Sequence, residues 1–120
     1  MNEALFKERT KKLALRNMGL VATLPHTRSA DVIARQIVRS ATSIGANYRA
    51  ACRAKSGPDM VTKLKIVEEE ADETVYWLEL LAEGKSVSQE EVSGLIKETN
   101  EILAMTVASI KTLRRRSAHA

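Results

Sequence analysis

The chain has 120 residues, enough for one domain that buries a core without disulfides or a structural metal. Four aromatic residues (Phe6, Tyr48, Tyr76, Trp77) and a single cysteine exclude an aromatic-rich core and an internal disulfide, leaving Leu, Ile, Val, Ala and Met to fill the interior. Net charge is +4 but unevenly spread: residues 1–57 hold eleven Lys/Arg against three Asp/Glu, or +8, and residues 58–120 hold eight against twelve, or −4. That split points to a polyanionic partner for the first half or to docking of one half on the other.

The first predicted helix covers residues 3–24. Phe6, Leu13, Leu20 and Leu24 recur at helical spacing and share a face. Pro25 ends it, because the ring disfavours helix at the preceding residue. The second is predicted over 29–54, with Ser29 as N-cap and Ile33, Ile37, Ser40, Ile44, Tyr48 and Ala51 inward. Its centre is unusually small, and Gly45 there permits close approach of another helix at an intrinsic cost of about 1 kcal/mol.

The third helix is predicted over 58–83. Pro58 suits the first helical position, Asp59 the positive end of the dipole, and Gly84 the stop. Leu64, Val67, Ala71, Val75 and Leu78 form its core stripe. The fourth, over 88–116, opens with a capping box at Ser88 and Glu91 and a hydrophobic staple of Val87 on Val92. Val92, Leu95, Thr99, Ile102, Thr106, Ile110 and Leu113 follow as one seam. Short loops make neighbouring helices antiparallel, so the expected fold is an all-α, up-down-up-down four-helix bundle in one domain.

Chemistry is sparse. A carboxylate-bridged metal site in a bundle needs Glu-x-x-His on two helices, and the only histidines are His26 in the first loop and His119 near the last residue. The acidic run from Glu68 to Glu73 fans out at about 100° per residue instead of converging. There is no phosphate-binding glycine loop, and Cys52 has no neighbouring histidine to activate it. No enzyme activity, metal or cofactor is expected. The opening MNEALFKERTKK lacks an apolar region, and no apolar run approaches the roughly 18 residues of a membrane span, so a cytoplasmic protein with no membrane partner is expected.

Two surface patterns carry more. Arg35, Arg39, Arg49 and Arg53 fall on one stripe opposite the core face of the second helix, and Arg9, Lys12 and Arg16 form a second stripe on the first. Such rows suit phosphate contacts, which need cations but no base-reading geometry. The alternative is a solvated face, or ion pairs to Glu69 and Glu73 across subunits. On the third helix, Ile66, Tyr76, Trp77 and Leu80 lie off the core stripe, interrupted by Glu69 and Glu73. A second apolar face predicts a second partner, here another copy of the chain.

The string from Gln36 to Tyr48, QIVRSATSIGANY, followed by Lys63–Val67 and Glu70–Leu81, resembles the bacterial four-helix bundle proteins known as 23S rRNA intervening-sequence proteins. The resemblance covers nearly the whole chain. It implies a ring-shaped homo-oligomer, a pentamer, with no established catalytic activity. Some members are encoded within intervening sequences of 23S rRNA genes, and a related branch, the accessory protein of diversity-generating retroelements, is a basic ring that works with a reverse transcriptase and RNA. Many members carry an acid three residues after the position of Asn47, where this chain has Ala50. The functional expectation is a non-enzymatic oligomeric scaffold whose basic faces engage RNA or a nucleic-acid-handling protein. The alternative is a purely structural or protein-adaptor ring.

Overall fold

Capping chemistry divides the chain into four helices: α1 (Glu3–Ala22), α2 (Arg28–Cys52), α3 (Gly57–Glu83) and α4 (Gln89–Ala118). The computed structural model describes residues 2–85 and 87–118, and the expected position of His119 lies outside them. Each helix packs on the next and α4 returns to α1, closing an antiparallel bundle of 53 × 22 × 20 Å.

Most helix ends fall within two residues of expectation, and local bonds explain the differences. α1 stops at Ala22, where the Thr23 hydroxyl donates to Leu20 O at 2.7 Å; Leu24 is buried beyond the helix. The N-cap of α2 is Thr27, not Ser29: its Oγ1 accepts from the Ala30 N–H at 3.2 Å. Ser56 caps α3 by accepting from the Asp59 N–H, and Asp59 accepts from the Lys55 N–H, both at 3.1 Å. α3 does end at Gly84, but the left-handed residue after it is Lys85, with φ 55°. The capping box of α4 is half made. The Glu91 N–H reaches Ser88 Oγ at 3.5 Å, while the Glu91 carboxylate turns to Arg16 at 3.7 Å instead of back to Ser88. Val87 packs on the core, as a staple does.

The core holds the expected stripes with two changes. Thr74, not Val75, is the fully buried residue of its turn in α3, and its Oγ1 sits 2.8 Å from Ser40 Oγ of α2. Ile33 and Leu113 are only half-buried. Polar residues interrupt the apolar layers: Thr10, Asn17, Ser40, Thr74, Thr99 and Thr106 are all buried. The threonines return their hydroxyls to their own helix, as at Thr99 to Leu95 O (2.7 Å) and Thr106 to Ile102 O (2.8 Å). Asn17 donates to Leu13 O at 2.9 Å but its Oδ1 has no partner among the described residues. Gly45 does allow close approach: a Cβ there would lie 3.2 Å from Thr10 Oγ1 of α1.

Candidate nucleic-acid interface

The seven cations of the two stripes have different fates. Arg9 is a clamp between α1 and α4. Its Nε donates to Glu98 Oε2 at 2.6 Å, and its Nη2 donates to Glu98 Oε1 at 2.8 Å and to Glu101 Oε2 at 2.7 Å. This fork hydrogen-bonds the Glu98 carboxylate and holds its pKa below the usual carboxylate value, against the opposing effect of burial. Arg16 lies across Gly94 and approaches Glu91 of α4 at 3.7 Å. Arg39 clamps α2 to α3, donating to Glu70 Oε2 at 3.0 Å and pairing also with Glu73. These three candidates are therefore paired with carboxylates of the same chain. Glu73 finds its arginine inside the chain and Glu69 is exposed.

Lys12, Arg35, Arg49 and Arg53 are exposed and make no ion pair among the described residues. Arg49 joins two lysines that sequence reasoning passed over. Between α1 and α2 runs a groove of about 290 Å³ bounded by Lys7, Lys11 and Arg49, with Thr10 and Thr42 on its walls. Ala14, Gly45 and Ala46 leave it open, because small side chains cannot fill the space between two helices. No carboxylate lines it; Lys7 has Glu3 at 3.8 Å, one turn away. The i, i+4 spacing of Lys7 and Lys11 beside a small-residue run was the available signal.

The apolar patch on α3 is narrower than its sequence suggested. Ile66, Trp77 and Leu80 are half-buried. They occupy the flank turned to α2, as the Arg39 contacts of the intervening Glu70 and Glu73 show. Trp77 packs against the core, and its Nε1 is buried without a partner among the described residues. Only Tyr76 points away, 52% exposed, with its ring edge-on to Trp77 at 5.1 Å. Sequence reasoning missed a second set on the outer side of α1: Leu5 is 69% exposed, Leu15 57% and Met18 47%. Their phase, off the Phe6–Leu13–Leu20 stripe, was the legible sign.

Among the described residues no three His, Cys, Asp or Glu side chains gather as a metal site. No described helix is long and apolar enough to cross a membrane. Cys52 is half-buried and burial raises its thiol pKa, so the nucleophilic thiolate is disfavoured.

Comparison with known proteins agrees with this architecture. A solved structure from Bacteroides thetaiotaomicron, a protein of unknown function from the S23 ribosomal protein family, superposes with a TM-score of 0.84 at 36% sequence identity. The match covers 92% of this chain and 99% of that one. No curated protein matches. Residues 3–108 match the 23S rRNA-intervening sequence protein family, and with four helices in this arrangement the chain belongs to that family.

Proposed function

We propose that this protein is a non-enzymatic, homo-oligomeric helical scaffold of the cytoplasm whose α1/α2 face engages the phosphate backbone of RNA. The observation that carries the reading is the groove bounded by Lys7, Lys11 and Arg49 and free of carboxylates, with exposed Lys12, Arg35 and Arg53 on the same two helices. Lys11 and Arg49 there make no ion pair among the described residues and Lys7 meets only Glu3 at 3.8 Å, whereas Arg9 and Arg39 are each held by two carboxylates. Phosphate recognition of this kind is tolerant of sequence and driven by counterion release. A ring, five-membered as the family resemblance implies, repeats the groove and raises a weak contact by avidity. Exposed Leu5, Leu15, Met18 and Tyr76 supply the apolar surface for assembly.

The test is binding of a labelled single-stranded RNA of mixed sequence, read by anisotropy while salt is raised from about 50 mM to 200 mM. Binding should fall steeply with salt and be lost in the double variant Lys11→Glu/Arg49→Glu, whose light scattering stays that of the wild type. Absence of binding at the low-salt end leaves the structural ring as the better reading. The specific observation on that side is that three of the seven stripe cations are already spent on internal ion pairs.

A further inference from the structure

The helices of this bundle are unequal: α1 has 20 residues and α4 has 30. At the end where α1 begins and α2 stops, the last turns of α4 run alongside too little covering helix. Leu113 is left half-buried, and a cavity of about 470 Å³ opens beneath it. Met60, Leu64, Met105 and Leu113 are its main apolar lining, Tyr48 adds a hydroxyl, and Glu3 and Arg116 are its two charged lining residues. That volume is within the usual range for small-molecule sites, about 300–1,000 Å³, and apolar walls with a few polar groups are their usual lining. Two thioether side chains facing one cavity make it adaptable to the shape of an occupant.

We propose that this cavity binds a small amphiphilic anion, its apolar body lodged between Met60 and Met105 and its acidic head on Arg116. The charge at this end of the bundle selects the sign. Arg53, Lys55, Lys111, Arg114, Arg115 and Arg116 cluster around the helix ends, and Arg116 has no carboxylate partner among the described residues. Of the two acids at these ends, Asp59 accepts from the Lys55 N–H at 3.1 Å, and Glu3, the one carboxylate in the cavity lining, lies 3.8 Å from Lys7, which offsets its charge. Within the cavity, burial raises the Tyr48 and Cys52 pKa values, so both stay neutral near pH 7 and neither repels an anion.

The site is separate from the α1/α2 groove and does not depend on the RNA reading. The probe is 8-anilinonaphthalene-1-sulfonate, a flat apolar body with one sulfonate, added to protein labelled at the methionine methyl carbons. The Met60 and Met105 methyl resonances should shift together and saturate at one probe per chain, while exposed Met18 on α1 stays in place as an internal control. Decanoate should displace the probe and inorganic phosphate should not. Arg116→Glu should weaken binding about tenfold or more, the scale of a lost charge-assisted contact. Ala108→Trp, an exposed lining position, should abolish binding with helicity unchanged. Lys11→Glu, which disables the RNA groove, should leave it intact. The proposal is overturned if Met60 and Met105 do not move, if Met18 moves with them, if phosphate competes as well as decanoate, or if a folded Ala108→Trp protein binds like the wild type.

Discussion

Arg9 was a candidate phosphate contact by sequence and is an internal clamp by structure, so its removal tests the distinction. Arg9 and Glu98 share two charge-assisted hydrogen bonds, at 2.6 and 2.8 Å, across the α1–α4 seam. Hydrogen bonds to charged groups contribute about 1.5–3 kcal/mol when well sheltered and exposed ion pairs only about 0.2–1 kcal/mol. The Arg9 side chain keeps 32% of its exposure and Glu98 22%, which places the pair between those limits, at about 1–2 kcal/mol. The assay is a double-mutant cycle of Arg9→Met and Glu98→Gln in urea unfolding, with methionine chosen to keep the apolar stem. The coupling should be about 1–2 kcal/mol, equivalent to a Tm loss of roughly 5 °C, and should shrink in high salt. The pH dependence has a definite sign. The pKa of Glu98 is depressed in the folded protein, so its contribution is fully present above its ordinary value of 4.5 and is lost as pH falls through the lower folded value. Arg9→Met should also leave RNA binding nearly unchanged once the protein is folded. A cycle that closes within about 0.3 kcal/mol, the ordinary error of additivity, refutes the clamp. So does loss of RNA binding without loss of stability.

Two further outcomes follow from local structure. Lys85 holds φ 55° directly after α3, a conformation costly for a residue with a Cβ, so Lys85→Gly should raise stability by about 0.5–1 kcal/mol in thermal or urea unfolding; a loss instead means the turn depends on the lysine side chain. Tyr76 is half exposed and Trp77 packs on the core, so the two neighbours should separate assembly from folding. Tyr76→Glu should lower the oligomer order by light scattering and keep its helicity, whereas Trp77→Glu should lose about 3 kcal/mol or more of stability. Equal effects at both positions mean that the patch is a single unit of core or of interface.

The bundle was legible from the sequence because helical periodicity and helix stops are local properties. Pro25, the Ser56–Pro58 turn and Gly84 punctuate the chain wherever it goes, and Phe6, Ile37, Leu64 and Ile102 fall in stripes that only a helix brings to one side. Positions with two competing local choices came out differently. Thr27 displaced Ser29 as a cap, and Thr74 displaced Val75 in the core because its hydroxyl could meet Ser40 and its own helix. The candidate surface was less legible, for a physical reason. One helix viewed alone shows which residues point outward, but it does not show what stands opposite them. Arg39 and Arg49 look equivalent on the helical stripe, yet one faces Glu70 and Glu73 of α3 while the other faces Lys7 and Lys11 across a gap held open by Gly45 and Ala46. Whether a cation is consumed by an ion pair or offered to a ligand depends on the charge of the neighbouring helix, and that pairing exists only once the four helices have packed.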